Sequence, residues 1–229
     1  MVASFLVKVI LPKLLERFQG NQQPEYDVDS YATGDEGSAL DTLLSKSGAV
    51  SVIIGRRGLG KTSLALRIAE ARAKPVFIVS PNARVPSWVN KIGFGNINEN
   101  TVPGGSTLIL DDVATYMSNR DYSDSIVKET ERMIPMVRHW DNEKGLFLIV
   151  CTQNAGIVNK HVLDTDALFI KQLSILYEDV ERAGVQKIYK RAKPFFDGQS
   201  EEWLQRHSFL ITPTFAGMIE SRMPSGGMG

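Results

Sequence analysis

The residues Gly55-Arg-Arg-Gly-Leu-Gly60-Lys61-Thr62 combine three glycines, a lysine and a hydroxyl in the spacing G-x-x-x-x-G-K-[ST]. Glycines let a backbone wrap closely around a polyphosphate and turn its N–H groups inward. A helix beginning near Lys61 adds the partial positive charge of its N-terminus. In that setting Lys61 reaches the β- and γ-phosphates, and the Thr62 hydroxyl ligates Mg²⁺. Gly55, Arg56, Arg57, Gly58, Leu59, Gly60, Lys61, Thr62 and Ser63 are thus the candidate nucleotide-binding set. Arg56 and Arg57 touch phosphate, face a neighbouring subunit or are solvated at the loop tip. The last is the preferred reading.

Two further strand ends carry polar groups. Residues 107–110 are apolar and run into Asp111 and Asp112. Asp111 suits the metal shell, through water, and Asp112 can orient or deprotonate an attacking water. The plainer role for Asp112 is a helix N-cap. Residues 146–151 form another apolar run, ending in Thr152 and Gln153. In a parallel sheet, ligands sit at the carboxyl ends of the strands, so Gln153 falls where an amide can sense a γ-phosphate.

The elements that must position these groups follow from periodicity. Strands are expected at 50–54, 76–79, 107–110, 146–151, 167–173 and 209–212. Helices are expected at 39–45, 61–74, 123–140, 177–193 and 201–207. Short apolar runs alternating with helices imply an α/β fold, a mainly parallel central sheet with helices on both faces. Residues 49–222 form this domain. Residues 1–48 form an N-terminal extension, in which Phe5, Leu6, Val9, Ile10, Leu14, Leu15 and Phe18 mark an amphipathic helix interrupted at Pro12. Residues 223–229 read as a flexible tail.

Composition narrows the function classes. In 229 residues, 26 Lys and Arg balance 26 Asp and Glu, which argues against binding nucleic acid by bulk charge. The lone Cys151 cannot form an internal disulfide and fits a reducing compartment. No segment approaches the roughly 20 apolar residues of a membrane-spanning helix, so no integral span is expected. The densest basic cluster is Lys187, Lys190, Arg191 and Lys193, which reads first as a solvated face and second as a phosphate-contacting strip. Asn82, Arg84 and Lys91 lie in a Pro-rich stretch that could also meet DNA, and Trp88 beside them reads as packing.

The three strand ends, in this chain order, resemble the additional-strand, RecA-like P-loop ATPases. Arg138, then Gly145-Leu-Phe-Leu-Ile-Val-Cys-Thr-Gln153, then Val158-Asn-Lys-His-Val-Leu163 and Leu168-Phe-Ile-Lys resemble the FtsK–HerA superfamily. Within it, the compact length is most similar to genome-packaging ATPases of membrane-containing icosahedral viruses. The resemblance implies ATP and Mg²⁺ as cofactors, with Lys61, Asp112, Gln153 and Arg138 catalytic and Thr62 and Asp111 at the metal. It implies that Arg138, or its competitor Arg132, reaches a neighbouring subunit's phosphate. A homo-oligomeric ring, by family habit a hexamer, would then pass double-stranded DNA through its pore. Capsid or membrane-vertex proteins are implied as partners, and the host cytoplasm or a capsid vertex as the location. The family usually places Glu where Asp112 stands. A protein-directed assembly or secretion motor is the alternative. A small-molecule P-loop kinase is a weaker one, since no Arg-rich lid follows Gln153.

Overall fold

The computed structural model describes residues 35–80, 84–112, 135–153, 165–174 and 183–225. The N-terminal amphipathic helix, Asn82, Arg132 and the segment after Gln153 lie outside them.

Alternation along the strands explains the layers. In β1 (Ala49–Ile54), Val50, Val52 and Ile54 face one core, while Ala49 and Ile53 face the other. Both faces are buried, as in a parallel sheet covered by helices. Helices α1 (Asp35–Ser45) and α2 (Lys61–Arg72) cover one face through Leu43, Leu64, Ile68 and Ala69. Helices α3 (Ala183–Phe196) and α4 (Glu201–Arg206) cover the other through Tyr189, Ala192, Phe196 and Leu204.

The remaining strands are β2 (Val76–Val79), β3 (Val89–Lys91), β4 (Thr107–Leu110), β5 (Phe147–Thr152), β6 (Ala167–Ile170), β7 (His207–Ile211) and β8 (Ala216–Glu220). Their order is β3-β2-β4-β5-β1-β6-β7-β8, parallel up to β6 and antiparallel through β7 and β8. Strand β5 lies between the loop-bearing β1 and the acid-bearing β4, pairing Ile54 with Thr152 and Leu110 with Val150. That interposed strand is the expected additional-strand arrangement.

Several boundaries move. Of the expected helix 123–140, residues 123–134 lie outside the described ones; 135–136 are helical and 137–139 form a turn. Asp141 and Asn142 take left-handed φ of 47° and 56°, a conformation these two residue types tolerate. Trp140 Nε1 donates to the Val102 carbonyl (2.7 Å), and the Asp141 carboxylate accepts from Gly104 N–H (2.8 Å), which pulls the chain off the helical path. Helix α3 continues past Lys193 because burying Phe196 outweighs the bond lost at the exposed Pro194. Strand 167–173 stops at Ile170. Edge strand β3 escapes the sequence because only Val89 of its three residues is buried. Strand β8 escapes it because Gly217 interrupts its pattern, although the Thr212 hydroxyl accepts from Phe215 N–H (3.0 Å) and closes the turn before it. The supposed tail is anchored at its start: Ser225 donates to Glu70, and Trp88 Nε1 donates to the Ser225 carbonyl. Trp88 is therefore packing, as expected.

Candidate nucleotide-binding site

Parallel strands end together, so β1, β2, β4 and β5 deliver their following residues to one edge of the sheet. The loop after β1 begins with Gly55 N–H donating to the Thr152 carbonyl (3.2 Å), and Arg56 N–H donates to the Gln172 carbonyl (2.9 Å). Gly60 caps α2 at φ 73°, and an added Cβ there would sit 3.0 Å from the Gln205 carbonyl oxygen. Only glycine meets both demands. Lys61 Nζ donates to the carbonyls of Gly55 (2.9 Å) and Arg56 (3.1 Å), so its ammonium bridges the mouth of the loop.

The two residues expected at a metal, Thr62 and Asp111, are brought together. Thr62 Oγ1 donates to Asp111 Oδ1 (2.9 Å), and Ser80 Oγ donates to Asp111 Oδ2 (3.0 Å). Asp111 is 7% exposed, and burial pushes its carboxyl pKa up against those two hydrogen bonds and Lys61. Burial likewise pushes Lys61 down, although Asp111 and Asp112 oppose it. Both charges are thus held in an incompletely compensated setting, the condition in which an incoming ion gains most. Among the described residues no three His, Cys, Asp or Glu side chains gather as a metal cage. A hydroxyl beside one carboxylate still fits Mg²⁺, which keeps waters and phosphate oxygens as its other ligands.

Asp112 stands at φ 53°, and its Oδ1 accepts from Gln153 Nε2 at 3.3 Å. The two expected catalytic groups of β4 and β5 therefore meet. Leu59, counted in the loop, has a fully buried side chain in the core, so only its main chain is available to phosphate. Arg57 is exposed, as the loop-tip reading expects. Arg56 is not a solvated tip residue: its guanidinium pairs with Glu201 and donates to Gln172 Oε1 (3.1 Å). Ser63 is buried in the first turn of α2.

Arg138 lies elsewhere. An added Cβ on Gly48, the residue before β1, would stand 2.8 Å from Arg138 Cα. Arg138 thus marks the amino edge of the sheet, with its side chain exposed. The phosphate loop follows the far end of β1, about 20 Å away by strand rise, beyond the reach of an arginine side chain. Arg138 cannot serve its own chain's loop. Of the basic residues on α3, Lys190 is exposed and Lys193 is committed to Asp197 (2.7 Å).

Ser80, Lys171, Gln172, Glu201 and Gln205 were not foreseen. Ser80 was legible, since it follows a strand ending at the same edge. The others required knowing that β6 and α4 flank the loop. Among the described residues no helix is long and apolar enough to cross a membrane.

No protein-family model and no characterised protein sequence matches the chain. Solved structures with a similar fold include a chain described as an ATPase, 13% identical with a TM-score of 0.46 over 77% of this chain and 80% of that one. The cytoplasmic domain of the Thermomonospora curvata type VII secretion ATPase EccC is 13% identical with a TM-score of 0.48, over 80% of this chain and 26% of that one. A Thermotoga maritima RuvB mutant is 15% identical with a TM-score of 0.40, over 75% of this chain and 53% of that one. The chain therefore spans about half or less of the EccC and RuvB chains. These likenesses are too loose to carry an argument, and the α/β class with its mainly parallel sheet stands on the strand order itself.

Proposed function

We propose that the chain is a Mg²⁺-dependent ATPase motor that couples ATP hydrolysis to translocation of double-stranded DNA, as in packaging a genome into a capsid. The observation carrying the ATPase reading is the meeting of Lys61, Thr62, Asp111, Asp112 and Gln153 at one sheet edge. Lys61 exchanges its loop carbonyls for the terminal phosphates. Thr62 and Asp111 would hold the shell of a Mg²⁺ ion, which would supply charge neutralisation to the phosphates. Asp112, held by Gln153, orients the attacking water and takes its proton as the bond between the γ-phosphorus and the leaving oxygen breaks, releasing ADP and phosphate. Arg138, at the opposite edge, completes the site of an adjacent subunit in a ring.

The DNA substrate rests on the motif resemblance and on the basic side chains of α3. Steady-state hydrolysis with and without double-stranded DNA tests it. Stimulation by DNA, lost in Lys61→Ala, supports the translocase. Lys61-dependent hydrolysis that ignores DNA points to a protein-directed motor, and a phosphoacceptor requirement points to a kinase.

A further inference from the structure

Lys171 is fully buried directly behind the phosphate loop, and nothing in the ATPase reading uses it. Its N–H donates to the Ile54 carbonyl (2.8 Å), continuing β6 along β1 to the mouth of the loop. An added Cβ at Gly55 would lie 2.6 Å from Lys171 Cβ, so the loop rests on this side chain. Its ammonium runs across to the end of α4 and donates to the carbonyls of Gln205 (2.8 Å), His207 (3.1 Å) and Leu204 (3.4 Å). Carbonyls at a helix end lack intrahelical partners, and Lys171 supplies one from the sheet.

The same corner grips the loop from its other side. Gln205 Nε2 donates to the Gly58 carbonyl (3.3 Å), its own carbonyl sits against Gly60, and Glu201 pairs with Arg56. Gly55, Arg56, Gly58 and Gly60 thus each touch a floor or a wall that Lys171 ties together, while the loop tip at Arg57 stays exposed. Burial holds the Lys171 pKa down to about 7, and Lys61, a like charge, adds to the shift. Phosphate on Lys61 would offset that repulsion and also draw Lys61 away from the Gly55 and Arg56 carbonyls. Occupancy therefore changes forces at the very atoms Lys171 supports.

We propose that Lys171 is a positioning residue of the phosphate loop, and that the α4–β7 corner it holds carries nucleotide occupancy to the antiparallel β7–β8 edge of the sheet. This rests on the ATP reading. Hydrogen exchange of the full chain, with and without Mg²⁺ and a non-hydrolysable ATP analogue, tests it. Nucleotide should slow exchange at 55–64 and also at 201–220. In Lys171→Met the response at 201–220 should vanish, and KM for ATP should rise about tenfold with a smaller change in kcat. Gln205→Ala, at an exposed position, removes the Gly58 contact but leaves the Gln205 carbonyl to Lys171. It should therefore weaken the response at 201–220 without abolishing it, and the wild-type comparison decides the matter if Lys171→Met does not fold. Protection at 55–64 without any at 201–220 in the wild type overturns this inference and leaves the ATP reading standing. No protection at 55–64 overturns both.

Discussion

The two edges of the parallel sheet are built on opposite principles. At the carboxyl edge, Lys61 and Asp111 are desolvated charges whose hydrogen bonds do not fully compensate their burial. At the amino edge, the chain closes on itself: Gly145 N–H donates to the Trp140 carbonyl (3.1 Å), Leu146 N–H to the Val137 carbonyl (2.7 Å), and the Trp140 indole is satisfied by Val102. One edge holds charges that burial leaves under-compensated, as the proposed nucleotide site requires. The other is close-packed and offers Arg138 outward. The amino edge also buries a charge, Arg72, which donates to the Thr107 hydroxyl and to the Leu44 and Lys46 carbonyls. What sets the carboxyl edge apart is that two desolvated charges of opposite sign share it, as active sites arrange them.

Substitutions that act on only one edge break this contrast most sharply. Lys61→Ala should lower hydrolysis by about a thousandfold or more. Asp111→Asn should lower it by at least about a hundredfold while leaving the thermal midpoint unchanged or higher, because it removes a desolvated charge. A marked drop in its midpoint would mean that the carboxylate is a structural anchor instead. Arg138→Ala should lower assembled activity by about a hundredfold or more with nucleotide affinity little altered, measured as hydrolysis beside equilibrium binding.

At the amino edge the expected loss is stability. Gly145 has φ 74°, and an added Cβ would meet Gly48 N at 2.8 Å. Gly145→Ala should cost about 2 kcal/mol or more in denaturant unfolding, by strain and by displacing the main chain before β1.

The smallest effect is a pH dependence. The folded Lys171 pKa of about 7 lies below its ordinary value of 10.5, so above neutrality the unfolded chain binds the proton more tightly. Stability from this group therefore rises with pH between those two values. The midpoint of the wild type should climb from about pH 6.5 to 8.5 relative to Lys171→Met, whose curve lacks this contribution. Parallel curves would mean that the three carbonyls fully compensate the burial of the Lys171 ammonium.

What could be read from the sequence follows the same division. The loop, Asp111, Asp112 and Gln153 were legible because each sits where an apolar run ends, and a parallel sheet brings such ends together. Strands β2 and β4 were placed to the residue for that reason. Lys171 was hidden because a lysine inside the expected strand 167–173 carries no sign of what will cover it. Only the antiparallel return of β7 beside β6, pairing Ile170 with Phe209, encloses it. The turn at Trp140 was hidden because its cause lies in Val102 and Gly104, distant in sequence. Arg56 looked like a loop tip because Glu201, its partner, lies far along the chain.

The central claim is that hydrolysis needs the carboxyl edge of one chain and the amino edge of another. Mixing Lys61→Ala with Arg138→Ala tests it most directly, by ATP hydrolysis at rising protein concentration. Each variant alone should be nearly inactive, and the mixture should recover activity, since intact Lys61 from one chain can meet Arg138 from the other. A mixture as inactive as its parts, under conditions where the wild type hydrolyses ATP and the variants assemble with it, would contradict the shared site.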